Sequence, residues 1–353
     1  MTADYPDGDQ FVVRKAVRRA CPQIIAIAGP TGSGKTYSAL LVAAGLAGPN
    51  GKVGFVDTEN GRGATYADDP GIMKALPGGY LIVDVPSPWT PERYISGISA
   101  IEQAGCNVCV IDSGSHEWEG EGGCSDIAEK DKGRWNNAKR RHKKFMSRLL
   151  YSNMHIIVCL RAREKSKIVP KTATTKEEVI SLGVMPICEK NFMYEMLLSL
   201  QIDNDHDHIA RPIKIPGLLR PIFSTPHVLT VADGEAIARW NNTGAAFDED
   251  GRLAQRARAA AESGMAEYEA FWKSITAQQR KAIQDHHVEL KRIAESADAA
   301  ARAGDIEELE GFLDALGADQ FYGVLGRLGV AKIDEATAVQ RAQAIEEMRG
   351  LVG

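Results

Sequence analysis

The sequence is poor in the features that mark a secreted, membrane-spanning or disulfide-built chain. Six cysteines in 353 residues are too few for a disulfide framework. Cys106 and Cys109 form a C-x-x-C inside the strand-like stretch GCNVCVIDS. A zinc site would need a second ligand pair at suitable spacing, so both read as core thiols. No apolar run approaches the ~18 residues of a membrane span. The opening MTADYPDGDQ is acidic and polar, without the basic-then-apolar order of a secretory leader. A cytoplasmic protein with no membrane partner is expected. Internal repeats and strong low-complexity tracts are also missing.

What is present is a globular composition, 44% apolar and 25% charged, with length enough for two domains. The net charge of -5 is unevenly spread. From Asp248 onward there are 20 acidic and 13 basic residues, against 27 acidic and 29 basic before it. Lys130 to Arg148 holds nine Lys or Arg and one Asp. A basic block in one part and an acidic tail in another suggest a polyanion site that the tail modulates.

Residues 1–21 read as a polar arm with a basic patch at Arg14, Lys15, Arg18 and Arg19. Strands are expected at Gln23–Ala28, Val53–Val56, Tyr80–Val85, Val108–Ile111 and His155–Leu160. Helices are expected at Thr36–Ala47, at Pro91–Ala104 behind the N-cap Thr90, and at Asn136–Tyr151. This alternation predicts an α/β domain over 22–240, built on a mostly parallel sheet. Arg161–Pro186 reads as a long loop or hairpin. Met196–Gln201 and Ile209–Ile215 read as antiparallel strands around the turn DNDHDH. Residues 241–251 read as a linker, and 252–353 as a small all-α region of several short helices.

The first strand runs into Gly29, Pro30, Thr31, Gly32, Ser33, Gly34, Lys35 and Thr36, followed by Tyr37. This fits G-x-x-x-x-G-K-[ST] between a strand and a helix. Glycines let backbone N–H groups cradle a β-phosphate, and Lys35 reaches the β- and γ-phosphates. Thr36 offers a hydroxyl to Mg2+, and the helix points its positive end at the anion. ATP with Mg2+ is the cofactor expected. VCVID ends in Asp112, a second carboxylate for the magnesium shell. VGFVDTEN ends in Asp57 and Glu59; Glu59 is the first choice for the catalytic base and Asp57 the reserve. His116 and Glu117 read either as a small polar network under the P-loop or as structural residues.

These three elements, in this order, resemble the RecA-type ATPase core. The string Asp112-Ser-Gly-Ser-His116-Glu117-Trp118-Glu119-Gly120, with MHIIVCLRAREK (154–165) and Tyr194-Glu195, looks like the AAA-type nucleotide-binding proteins encoded by bacteriophages. The resemblance covers roughly residues 22–225. It implies ATP hydrolysis by a homo-oligomer, as ring or filament, in a host cytoplasm, with other phage recombination or replication proteins as possible partners. RecA proteins carry a glutamine that senses the γ-phosphate where this chain has Leu160-Arg161, so Arg161 is the candidate replacement.

In RecA-like cores the loops after the fourth and fifth strands touch single-stranded DNA. Here they hold Trp118, Lys130, Lys132, Arg134, Trp135, Arg161, Arg163, Lys165, Lys167, Lys171 and Lys176, with Lys139, Arg140, Arg141, Lys143 and Lys144 on the adjoining helix. Basic residues beside aromatics suit a single-strand groove; a solvated helix with two half-buried tryptophans is the plainer account. A neighbouring subunit is expected to supply a cation, Lys214 first, then Arg211 or Arg220. The function expected is an ATPase that binds single-stranded DNA and assists recombination or annealing. A helicase or helicase loader is one alternative, and a nucleotide-gated scaffold recruiting partners through its helical tail is another.

Overall fold

The protein is described here from a computed structural model covering residues 2–4, 10–12, 16, 20–169, 178–203, 207–244 and 249–352. Arg14, Lys15, Arg18, Arg19, Lys171 and Lys176 lie outside the described residues, as does the side chain of Lys167. The chain forms two compact units, Met1–Phe247 and Asp248–Gly353.

In the first unit, β1 (Thr2–Asp4) pairs antiparallel with β2 (Gln10–Val12). A larger sheet holds β3 (Ile24–Gly29), β4 (Val53–Asp57), β5 (Leu81–Asp84), β6 (Val108–Asp112), β7 (His155–Val169), β8 (Glu178–Pro186), β9 (Leu198–Ile202), β10 (Ile209–Lys214) and β11 (His227–Val228). Their spatial order is β11-β10-β9-β3-β7-β6-β4-β5, with β8 on β7. The six strands from β9 to β5 run parallel, and β8, β10 and β11 join antiparallel. In a parallel sheet the carboxyl ends gather on one edge. Register here aligns Gly29 with Arg161, and Asp112 with both Cys159 and Asp57.

Helices cover both faces, which is why β3 and β6 read as unbroken apolar runs. Ile25, Ile27, Val108, Val110 and Ile157 pack on one side with α1 (Lys35–Ala47). Ala26, Ala28, Cys109, Ile111, Ile156 and Val158 pack on the other, with residues of α3 (Pro91–Gln103) and α6 (Asn136–Leu150). Each fully buried aliphatic side chain contributes about 1.5–3 kcal/mol. Between them in sequence lie α2 (Pro70–Ala75), α4 (Ser115–Glu119) and α5 (Cys124–Lys130). Thr90 caps α3 through the Arg93 N–H, with Pro91 at the first position, as expected. After α7 (Phe192–Glu195) and α8 (Arg220–Phe223), α9 (Val231–Asn242) lies against α1. The two helices approach at Gly45 and Gly234. A Cβ on Gly45 would sit 2.1 Å from the Val231 carbonyl oxygen, and one on Gly234 at 2.1 Å from that of Val42.

Three expectations change. The strand expected to stop at Leu160 continues to Val169, where its last part pairs antiparallel with β8. The linker expected from 241 does not open there: Asn241 lies in the last turn of α9, and its buried side chain accepts the Cys21 N–H at 3.0 Å. Residues 245–248 lie outside the described residues. In the second unit, α10 (Glu249–Ala261), α11 (Met265–Ser274), α12 (Ala277–Ala282), α14 (Ala318–Arg327) and α15 (Ala338–Val352) are short, but α13 (His287–Leu316) spans 30 residues. Its ends serve two apolar clusters, one with Leu253, Tyr268 and Leu290 and one with Leu309, Phe321 and Met348. Thr276 caps α12 in a reciprocal pair with Gln279.

Candidate nucleotide site

The P-loop leaves β3 at a place where only glycine fits. A Cβ on Gly29 would lie 2.4 Å from the Ile202 carbonyl oxygen and 2.5 Å from Ser33 Oγ. Gly32 and Gly34 take φ of 83° and 89°, left-handed values that cost a residue with a Cβ. No side chain caps α1, so its first N–H groups remain available to an anion. Lys35 curls back and donates to the Pro30 carbonyl at 2.7 Å. Burial lowers the proton affinity of its ammonium, while Asp112 and Glu59 raise it. Thr36 Oγ1 donates to Asp112 Oδ2 at 2.5 Å. Burial pushes the Asp112 carboxyl up to about 6 against that hydrogen bond. β7 lies between β6, which ends in Asp112, and β3, which leads through the P-loop to Thr36 at the start of α1.

Tyr66 was not foreseen. It ends the turn Arg62–Tyr66 and stands beside Thr36 and Asp112, and burial raises its hydroxyl above the usual phenol value. Tyr37 packs 6.3 Å from its ring, with its hydroxyl against Gly71 at the start of α2. The Tyr37 side chain therefore braces the loop, and only its backbone faces the helix N-terminus. His208, from the turn read only as polar, sits over the P-loop with Nδ1 2.9 Å from the Ser33 carbonyl oxygen.

The two acids after β4 have separate tasks. Asp57 is 2% exposed. It accepts the Glu59 N–H at 2.6 Å and the Gly63 N–H at 2.8 Å. Those bonds tie it to the turn, so the reserve base is a backbone anchor. Glu59 receives Arg161 bidentately, Nε at 2.8 Å and Nη2 at 2.5 Å. Arg62 stands 3.7 Å away and His116 Nε2 3.9 Å. Burial alone would raise the Glu59 carboxyl; the hydrogen bond and charge of Arg161, with His116 and Arg62, hold it below the usual carboxylate value. His116 is fixed through Nδ1, 2.9 Å from Thr58 Oγ1, and by Trp89 stacked at 4.4 Å.

Residues 22–190 match the family model of the AAA domain. The first unit has the mostly parallel α/β sheet typical of P-loop NTPases. No curated protein matches the chain. Among solved structures, a KaiC-like protein of the hyperthermophilic archaeon Pyrococcus horikoshii is similar, at 14% identity, over 57% of this chain and 90% of that one. Its TM-score of 0.32 is too low to carry an argument.

In this unit the paired expectation for His116 and Glu117 splits. His116 joins Glu59, whereas Glu117 is sealed elsewhere, with His142 Nδ1 3.1 Å from both its oxygens and Cys124 Sγ at 3.2 Å. Trp118 and Trp135 stack on each other, centroids 5.3 Å apart, and Trp118 meets His142 edge-on. Packed with Ile127 around Cys124, Ala128 and Ala138, they are the half-buried pair of the plainer account. Several basic candidates are matched locally: Lys130 with Asp126, Arg134 with Asp131, Arg163 with Glu119 and Arg141 with Glu92. Lys132 takes φ of 54° on the turn before α6. Lys139, Arg140, Lys143 and Lys165 are exposed.

Of the cations expected to serve a neighbour, Lys214 is engaged at home. Its ammonium donates to the carbonyls of Tyr194 at 2.5 Å and Met196 at 2.7 Å. This disfavours the first choice for that role. Arg211 pairs with Asp203 at 2.9 Å, and Arg220 is exposed at the start of α8.

Proposed function

We propose that the protein binds ATP with Mg2+ at the P-loop and hydrolyses it, with Glu59 as the base. The observation that carries this reading is the Thr36–Asp112 hydrogen bond, beside an uncapped helix N-terminus and a buried lysine. The donors fit magnesium: a hydroxyl and a carboxylate, both hard oxygen ligands, already in contact. Magnesium held by Thr36 and Asp112 would neutralise charge on the β- and γ-phosphates. Lys35 would leave the Pro30 carbonyl for phosphate oxygens, a gain because its charge is poorly solvated where it lies. Glu59 would accept a proton from water as the water oxygen bonds to the γ-phosphorus. The bond from that phosphorus to the bridging oxygen breaks, its electron pair stays with ADP, and inorganic phosphate leaves.

The test is phosphate release from ATP with magnesium and with chelator. Lys35→Ala should bring hydrolysis to background, and wild-type release unaffected by chelator would contradict the reading.

We further infer that single-stranded nucleic acid is the polymer this domain acts on. The supporting observation is the run of exposed cations Lys139, Arg140 and Lys143 on α6, with Lys165 on the β7–β8 hairpin. With the two tryptophan rings stacked on each other, contact would run through phosphates. Affinity should then fall steeply with salt as counterions are released. Binding insensitive to salt would remove this part of the reading.

A further inference from the structure

Glu117, Cys124 and His142 come from three helices and meet at one point. Glu117 stands in the middle of α4, Cys124 opens α5, and His142 lies midway along α6. All three are buried. Each offers one ligand atom: a carboxylate oxygen, a sulfur and an imidazole nitrogen. These atoms all lie within 4.8 Å of one another. Glu117 Oε1 is 3.1 Å from His142 Nδ1 and 3.2 Å from Cys124 Sγ. With bonds of about 2.0–2.3 Å, the donors around a tetrahedral zinc ion stand about 3.4–3.6 Å apart. Both distances from Glu117 fall just short of those edges, so small side-chain rotations open room for the ion.

The donor set is mixed, and that mixture selects the metal. Magnesium and calcium take oxygen ligands, whereas zinc accepts thiolate, imidazole and carboxylate together. Charge also balances. A divalent ion with one thiolate and one carboxylate is neutral, so the buried unit carries no uncompensated charge. Without an ion, burial and then the charge of Glu117 push the Cys124 thiol up, so it keeps its proton. Binding releases that proton and leaves the His142 hydrogen on Nε2. The surroundings suit a closed site. Trp118 meets the His142 ring edge-on, and Phe145 and Phe192 lie 6.2 and 6.5 Å from it. Such an apolar shell keeps solvent from the ligands. Three protein donors leave one tetrahedral position for a water or for Cys188. Burial, then the charges of Glu189 and Glu117, push the Cys188 thiol up to about 12, which places it near the cluster.

We propose that Glu117, Cys124 and His142 hold a structural zinc ion that ties α4 to α5 and α6. α4 follows β6 and its Asp112, and it carries His116, which stands beside Glu59. α6 carries the exposed cations Lys139, Arg140 and Lys143. The ion thus fixes the segment that joins the nucleotide site to the basic helix.

The experiment strips the full chain with a chelator and titrates it with zinc, and separately with cobalt(II), without nucleotide. Cobalt reports its own ligands. A bound thiolate gives an intense near-ultraviolet charge-transfer band, and oxygen ligands such as Thr36 and Asp112 give none. Wild type should take up one zinc per chain, melt at a higher temperature with zinc than without it, and show the thiolate band with cobalt. Cys124→Ser, which keeps a small hydroxyl toward Glu117, should lose the band. It should also bind zinc about a hundredfold or more weaker, at or above the effect of removing a ligand's supporting partner. His142→Gln should weaken zinc on the same scale. Cys21→Ser changes a free cysteine outside the cluster and should alter neither affinity nor band. Wild type that takes up no zinc and shows no thiolate band would leave a hydrogen-bonded brace and overturn the proposal. A band that survives Cys124→Ser would place the metal elsewhere and also overturn it. The wild-type measurement decides even if the variants do not fold.

Discussion

Two glutamates of the same domain each meet a basic partner, and their surroundings give them opposite uses. Glu59 meets Arg161 at the open carboxyl edge of the sheet, where the guanidinium is partly solvated. Glu117 meets His142 and Cys124 in a sealed pocket; their relative exposures are 2%, 8% and 0%. Trp118 lies edge-on against His142. The first pair can trade one anion for another. The second cannot, because no competing anion reaches it and opening it would expose the ring pair as well. A carboxylate held by a basic side chain therefore signals switching only where one partner touches the ligand space. In the interior the same chemistry is cross-bracing between α4, α5 and α6.

The comparison breaks most visibly if the sealed pair proves dispensable. Glu117→Ala should destabilise the domain by about 3–5 kcal/mol, since His142 loses its buried partner and Cys124 its acceptor. Denaturant melts would show this, and unchanged stability would mean the pocket is not a brace.

A half-buried histidine sharpens the contrast. His155 has no carboxylate among its described partners, and its Nδ1 accepts the Gln23 N–H at 3.0 Å. Burial drives its pKa down to about 4. The folded state thus binds this proton less readily than the unfolded chain, whose value is about 6.5. Stability from the neutral ring is present above that value and drains away as pH falls toward 4, by roughly 2–3 kcal/mol. His155→Gln should flatten this limb in melts taken between pH 7 and 4, and an unchanged slope would contradict it.

Trp118→Ala separates seal from groove. As a seal, the ring should contribute roughly 1–3 kcal/mol of stability, with nucleic-acid affinity little changed. A base-stacking platform would show the reverse, a loss of about 1–3 kcal/mol in binding. The smallest effect belongs to the exposed cations. Lys165→Ala should reduce the salt slope of single-strand binding by about one phosphate contact, and an unchanged slope would remove Lys165 from the interface.

Much of the nucleotide site was legible because its signals are contiguous. Strand, glycine loop and helix follow one another from Gln23 to Ala47, and two apolar runs end in acids. The partnerships were not legible. Arg161 and Glu59 are 102 positions apart, and only the order of strands brings them together. Tyr66 comes beside Thr36 on a turn that Asp57 ties down through the Gly63 N–H, which no spacing rule encodes. Trp118 and Trp135 looked like exposed aromatics among cations; the fold stacks them on each other and supplies Glu92 to Arg141 and Glu119 to Arg163. Lys214 looked free until two backbone carbonyls claimed it. Local motifs announce chemistry, whereas side-chain pairing depends on topology.

The central claim is that Glu59, and not Asp57, is the base of a magnesium-dependent ATPase. Its most direct test is steady-state phosphate release by Glu59→Gln and wild type, with ATP affinity and melting temperature measured on the same samples. The account predicts a fall in turnover of about a hundredfold or more, with ATP still bound and the melting temperature close to wild type. Turnover at the wild-type rate in a folded, ATP-binding Glu59→Gln protein would contradict it.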